Sequence, residues 1–439
     1  MKNLKILSGL ILLSIILISP LSTIYAQELW SYNPSKGIPK YDHSNREWSI
    51  NAISMGEDAN FIAVGLVREN IFIDDKGNIL KDDQGNYLSN KESKIVFLNN
   101  KGEELWSFRT QHKIIDIKMD SKAEYIVVET YTSSCFTDFE KCGGKVYVFN
   151  KSGTPLWTYD GAETPYVDSF GNVLIATPNG TAIYDIEKKL IRRYSNDLDY
   201  IWASDNLDLF VIPTVLWEED EMSRFKLIYS KLELFDKNGK KLWEREIEEQ
   251  LRDVIFSDDG NLIVGIPYIG HTLHIFDRKG NLSKYSTKEI KAFSMTPDGK
   301  YIVVAERSYF FNNKHITPIT LLNQSAEVLW KADIESSTFH NIKITNDGKY
   351  IYLFTDTELI VLDARTGEIK NIIGIWYLFQ PCLSKNGEYL AAGKYKLYLF
   401  DTQTLDTYSN NTKNTPGFEL LSLVSGSILV AYILNKRKR

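Results

Sequence analysis

The chain has 439 residues, enough for one large repeat domain or two to three ordinary ones. Apolar residues make up an ordinary 43%, so pattern rather than bulk hydrophobicity must place the core; aromatics reach 13%, which favours strands. Three cysteines cannot brace a body of this size. The formal charge of −6 becomes about −11 over residues 27–418 (45 basic against 56 acidic), which repels phosphate backbones and excludes nucleic acid as a partner.

Residues 1–26 have the parts of a secretory signal: Lys2 and Lys5, an apolar stretch over 6–18, then small and polar residues ending at Ala26. An uncleaved membrane anchor is the alternative, and either reading exports the body. Next comes Glu28-Leu-Trp-Ser-Tyr32, a strand with no partner strand before it.

From there two phrases alternate. The first is a turn followed by five apolar residues, beginning with Phe-Ile-Ala-Val-Gly at 61–65 and returning at 125, 173, 209, 262, 301, 350 and 389. The second is run, Asp/Asn-x-x-Gly, run, as in Leu234-Phe-Asp-Lys-Asn-Gly-Lys-Lys-Leu-Trp243, with copies ending at Trp106, Trp157 and Trp330 and a weaker one at 362–369. Run, turn and run predict a hairpin, with the glycine free to take the positive φ that closes it.

The eight copies of the first phrase recur with a mean spacing near 47 residues. Short strands and Gly turns at such a period predict an all-β propeller of about eight four-stranded blades. Seven blades remain open, because the copy near 164–195 is short and lacks the Trp. The five-residue runs barely alternate and so are expected to be interior strands buried on both faces. Each Trp is expected to fill the gap between neighbouring blades. Residues 28–32 repeat the outer strand of the hairpin and are expected to close the ring on the last blade, through 397–403, removing an exposed edge.

The C-terminal end runs through a Thr/Asn-rich spacer, Pro416-Gly417-Phe418, an uncharged apolar stretch over 420–434 and a terminal Lys-Arg-Lys-Arg. Fifteen residues span only about 22 Å as a helix, short of a bilayer core of roughly 30 Å. The basic tail would stay cytoplasmic and leave the body outside. The organisation so read is 1–26 signal peptide, 27–409 propeller, 410–418 spacer, and 419–439 transmembrane helix with basic tail.

Two resemblances follow from these residues. The hairpin phrase with its Trp resembles the blade repeat of quinoprotein-type propellers, and the Asp-Gly turns are similar to those of tryptophan-aspartate repeat propellers. The order of spacer, Pro416, Gly417, Phe418, short helix and basic end resembles the archaeal PGF-type sorting signal. That resemblance implies removal of the helix by an archaeosortase and attachment to a membrane lipid, a plain C-terminal anchor being the alternative. Quinoproteins use a bound quinone, a metal ion and an Asp base, and some carry a disulfide between adjacent cysteines. No adjacent Cys pair occurs here and no cofactor residue matches by position, so no cofactor is expected and dehydrogenase activity does not carry over.

Other features are sparse. Cys135 and Cys142 flank a short insertion between two strands of the second blade, and in an exported chain a disulfide is the favoured reading, two free thiols the other. Cys382 is expected to be small and buried. The repeated turns at 74–78 and 82–86 put Gly85 where a calcium loop needs its bidentate Glu, so an exposed extra hairpin is expected. His271 and His274 fall on opposite faces of a strand, against a shared metal. Asn150, Asn179, Asn281, Asn323 and Asn410 each begin an Asn-x-Ser/Thr triplet, read as N-glycosylation sites or as chance in an Asn-rich chain. No phosphate loop, Gly-x-Ser-x-Gly elbow or His-Glu-x-x-His is present. The leading expectation is a non-catalytic, surface-anchored propeller that binds an extracellular protein or glycan, or helps build the envelope. The alternative is an extracellular enzyme, an oxidoreductase or hydrolase, working in the central channel; a broad exposed aromatic patch would favour the first.

Overall fold

The structure is a computed structural model and describes residues 28–36, 47–72, 74, 78–81, 89–131, 144–194, 201–219, 225–268, 270–312 and 314–406. The signal segment, the Cys135–Cys142 pair, Asn410, and Pro416, Gly417 and Phe418 with the helix after them lie outside these residues. Among the described residues no helix is long and apolar enough to cross a membrane.

The chain folds into eight antiparallel sheets, each built of consecutive strands except the last. Blade 1 is typical: Ser49–Met55 lines the axis, followed outward by Phe61–Ile71, Ser89–Asn99 and Glu104–Thr110. The eight apolar runs all occupy the second position in their blades, and Val173–Thr177 and Leu262–Pro267 are buried at every residue. The copy that lacks Trp is a complete blade of four strands, Glu163–Val167 to Leu190–Tyr194, so the ring has eight blades and not seven.

Ring closure falls where expected. Glu28–Tyr32 is the outer strand of blade 8, antiparallel to Leu397–Asp401, with Trp30 opposite Leu399 and Tyr32 opposite Leu397. The hydrophobic clusters straddle neighbouring blades, so each seam is a piece of core. One joins Trp48, Ile62 and Val96 of blade 1 to Ala391 and Leu399 of blade 8.

A single device is repeated at the seams. The Trp of an outer strand reaches over the next blade's third-strand turn, and in four seams it donates its indole N–H to a carbonyl there; Trp243 of blade 4 covers Gly280 in the same way but its buried N–H finds no acceptor among the described residues. Trp106 reaches Lys151 O at 2.9 Å, Trp30 reaches Asn100 O at 2.7 Å, Trp157 reaches Ile186 O at 3.0 Å and Trp330 reaches Ala364 O at 2.8 Å. The turn glycine makes room for the ring: at Gly153, whose φ is +82°, a Cβ would lie 2.5 Å from Trp106 Cδ2. The outer strands of blades 3, 5 and 7 have no such Trp, and in blade 3 Tyr194 with Arg192 takes the place against Gly239.

The same turns are held by their first residue. Asp277 Oδ1 accepts from the backbone N–H groups of Lys279 and Asn281, both at 2.8 Å, and Asp236 and Asn323 do likewise in their turns. This Asx geometry explains why Asp or Asn opens every copy. The turn at Asp74 is closed in the same way, Asn78 N donating to Asp74 Oδ1 at 2.8 Å, in line with an extra hairpin.

Candidate functional site

Antiparallel order gives the ring two unlike faces. Turns between first and second strands, and between third and outer strands, emerge on one face, here called the turn face. Connections between second and third strands, and from blade to blade, emerge on the other, the loop face.

On the turn face the innermost turns form a ring around the channel mouth, tied blade to blade. Glu57 N donates to Ser121 O at 2.9 Å, Asn386 N to Glu57 O at 2.9 Å and Asp258 N to Pro297 O at 2.8 Å. The channel behind them has a volume of about 510 Å³ and mixes apolar walls, such as Ile117, Phe293 and Met295, with charged groups. Lys118 lies 3.4 Å from Asp116 and 3.4 Å from the centre of the Tyr166 ring. Burial works against its charge, yet Tyr166, Asp116 and Glu129 hold Lys118 above the ordinary lysine value. Glu129, paired across the sheet with Asp116, is pushed up to about 7 by burial and by the Asp116 charge. Lys385 stands 4.0 Å from Asp205 on the other side.

A quinone–metal centre does not fit this channel. Tyr166, one of three aromatic rings in the channel wall with Phe256 and Phe293, is covered by the Lys118 ammonium. Among the described residues no three His, Cys, Asp or Glu side chains converge to hold a metal ion.

Cys382 packs, partly buried, against the core of the seam between blades 8 and 1 and also lines the channel. It starts the innermost strand of blade 8, whose two residues Cys382–Leu383 face the axis closely. Burial pushes its thiol up to about 11, which leaves little thiolate at neutral pH. His274 is fully buried with Nε2 2.9 Å from Glu249 Oε2, while His271 precedes that strand and is exposed.

The loop face is different in kind. There the hairpins lengthen, as in Phe61–Ile71 with Ser89–Asn99 and Leu209–Glu219 with Phe225–Asp236. From blade 5 to blade 8 it carries exposed aromatics. These are Tyr268 between the second and third strands of blade 5, and Tyr309, Phe310 and Phe311 on an extra strand of blade 6. Trp376 and Tyr377 follow blade 7, and Tyr395 sits in the hairpin of blade 8. Phe310, Phe311 and Trp376 keep 63%, 60% and 66% of their surface in solvent, far more than an aromatic that merely caps a core. Sequence reasoning assigned aromatics to the core and missed this arc. The available signal was position, since Tyr-Phe-Phe at 309–311 and Trp-Tyr at 376–377 fall between the two repeating phrases.

The sequons divide between the faces. Asn150, Asn281 and Asn323 belong to turn-face turns between third and outer strands. The Asn281 and Asn323 amides already donate, to Asp277 at 2.6 Å and to Glu327 at 2.6 Å. Asn179 is exposed in the loop-face hairpin of blade 3.

No protein-family model and no curated protein matches the sequence. Among solved structures, the C-terminal WD40 domain of Sif2 superposes with a TM-score of 0.53 at 11% identity, covering 81% of this chain and 98% of that one. Sqt1 of Saccharomyces cerevisiae superposes with a TM-score of 0.49 at 12% identity, covering 85% of this chain and 98% of that one. The Sif2 likeness is one of fold: this chain has an all-β propeller fold of the WD40 type, with eight four-stranded blades.

Proposed function

We propose that the chain is a non-catalytic binding scaffold that holds a partner protein on its loop face, displayed on the cell surface. The observation that carries the reading is the arc of solvent-exposed Tyr268, Phe310, Phe311, Trp376 and Tyr395 on one sector of one face. Leaving such rings in water costs free energy that a partner recovers, because aromatics bring large area at little loss of side-chain freedom. Surface display is supported by the sequence alone: the signal over 1–26 and the PGF-type tail at Pro416, Gly417 and Phe418, on which an archaeosortase would act. The finer likeness of the repeats to quinoprotein-type blades belongs to this reading as ancestry of the blade and not of an activity.

The test places a photo-crosslinking amino acid at Phe310 or Trp376, with Phe170 as control. Phe170 is 82% exposed in a turn on the opposite face. Discrete protein adducts in intact cells are expected from the loop-face positions and not from position 170. No adduct from either loop-face position would end the reading. Protease added to intact cells is expected to degrade the propeller; protection until lysis would end the surface assignment.

The second reading, an enzyme of the central channel, has one observation in its favour. Glu129, with its raised pKa, beside Asp116 and Lys118 is the kind of perturbed cluster that active sites contain. Calorimetric titration with quinones and divalent metals is expected to show no binding, and tight binding would favour this reading instead.

A further inference from the structure

One end of the aromatic arc runs into a charged groove at the seam that closes the ring. The groove, about 490 Å³, lies between the hairpin of blade 8 and the base of the long hairpin of blade 1. Its basic groups are Arg68, Lys91, Lys113 and Lys394, against two acidic ones, Glu47 and Glu69. Arg68 is already satisfied by Glu92 at 2.7 Å and lies over Trp48. Lys91 and Lys113 have no ion pair among the described residues, although carboxylates outnumber basic groups in the chain as a whole. A protein with net negative charge that leaves lysines unpaired in one groove presents a local attraction for anions.

The aromatic end of the groove is built rather than incidental. Lys394 Nζ sits 4.7 Å from the Phe379 ring centre, 5.3 Å from that of Tyr395 and 5.4 Å from that of Tyr377. Phe379 rests on His340 at 4.1 Å, and His340 is held by Asp356 at 2.7 Å. The backbone of Tyr377 takes the left-handed conformation, φ 60°, rare for a bulky residue, and its N–H is fixed by Asp356 O at 2.7 Å. Such strain is retained where the surroundings impose it, and it turns the Tyr377 ring onto Tyr395, 5.9 Å away.

We propose that this seam binds an acidic peptide segment of the partner protein, carboxylates on Lys91, Lys113 and Lys394 and an apolar or aromatic side chain packed on the exposed surfaces of Trp376, Tyr377 and Tyr395. The inference rests on the loop-face reading above and adds the chemistry of the partner. Ring geometry selects peptide over sugar. Stacked sugar rings need a flat platform, but Trp376 and Tyr377 are inclined at 60° and Tyr377 and Tyr395 meet edge to face at 83°, so the rings form an uneven apolar ledge rather than a flat one. Lysines at the rim of the contact steer encounter and make it sensitive to salt.

The probe is a fluorescent random copolymer of Glu and Tyr, titrated with the full chain and compared with a Lys–Tyr copolymer and with polygalacturonate. Binding is expected for Glu–Tyr alone, weakening as salt rises. Lys91→Gln with Lys113→Gln, and separately Trp376→Ala, are each expected to weaken it by about tenfold or more, some 1.4 kcal/mol, with unchanged thermal melting. Phe310→Ser with Phe311→Ser is expected to leave it unchanged, because those rings lie on blade 6, away from the groove. Equal binding of the Lys–Tyr polymer, or full affinity in the lysine variant, overturns the proposal. Preference for polygalacturonate overturns it in favour of a glycan. Absence of all binding, with crosslinks from position 310 intact, overturns the acidic seam and leaves the loop-face reading standing.

Discussion

The two faces of the ring obey different rules. On the turn face, nearly every polar group has a repeated local task. Asx residues hold turns, Ser or Thr hydroxyls such as those of Ser257 and Thr345 accept the N–H five residues on, and indole N–H groups cross the seams. On the loop face no connection repeats another, hairpins differ in length, and large rings remain in water. The contrast teaches which substitutions can separate stability from recognition: the first face specifies the fold, and the second is free to vary.

The sharpest way to break that division is at a turn-face seam. Gly153→Val puts a β-branched side chain at φ +82° and drives its Cβ into Trp106, which stacks on Phe97 at 5.1 Å and Phe149 at 5.7 Å. Strain and lost packing together are expected to cost roughly 3 kcal/mol or more, read as a lower denaturation midpoint with the m-value unchanged. A loss below about 1 kcal/mol would show that the seams do not carry the fold.

Asp277→Ala removes the acceptor of two backbone N–H groups and the Asn281 amide. The expected cost is about 1–2 kcal/mol, because the turn must then be held by its two backbone bonds, Asp277 N to Asn281 O and Gly280 N to Asp277 O. Burial opposes ionisation of Asp277, but the hydrogen bonds of Asn281 and Lys279 outweigh it and lower its pKa; Asp259, Asp298, Asp347 and Asp363 are lowered too. Lowered carboxylates stabilise above their unfolded pKa and lose that contribution as pH falls through the folded values. These turns are therefore weakened by acid, as are the loop-face pairs of Glu92, Glu289 and Asp356, whose carboxyls are lowered too. Wild-type melting is expected to drop below about pH 4, and the drop should be smaller in Asp277→Ala.

Glu129, on the second strand of blade 2 beside the channel-lining Asp116, has the opposite sign. Its folded pKa of about 7 exceeds the ordinary carboxylate value, so the folded state holds its proton longer than the unfolded chain does. Stability is full below about pH 4.5 and falls as pH rises to about 7. Glu129→Gln is expected to gain on the order of 1–2 kcal/mol over wild type at pH 8 and almost nothing at pH 4.5. Equal melting curves at both pH values would mean that Lys118 already compensates the charge.

The same division governs what could be read in advance. The turn face was legible because Asx-x-x-Gly turns and doubly buried runs are local chemistry. The closing strand was legible because Leu-Trp-Ser-Tyr at 29–32 copies an outer strand. Blade 3 was harder, since Lys188 takes φ 65° where most of these turns use glycine (blade 6 uses Ala326) and no Trp marks its outer strand. The loop face could not be read this way. Tyr377 and Tyr395 belong to different connections, and only ring closure brings Lys394 beside Arg68 and Lys113.

The smallest effect on stability is expected where the effect on recognition is largest. Tyr309–Phe311 pairs only with the end of Lys314–Asn323, and its three residues are exposed throughout. Phe310 touches the His315 ring edge-on at 5.2 Å, a contact worth no more than about 1 kcal/mol, and Phe311 buries too little to matter to the core. Phe310→Ser with Phe311→Ser removes two apolar rings from water, so the change in unfolding free energy is expected to stay within about 0.5 kcal/mol of zero. The same variant is expected to lose the protein adducts formed from a crosslinker at Trp376, if one partner spans the arc from blade 6 to blade 8. Retained adducts would confine the partner to the seam at blade 8. A variant that melts far below wild type would instead show that this arm belongs to the fold and would erase the distinction between the faces at blade 6.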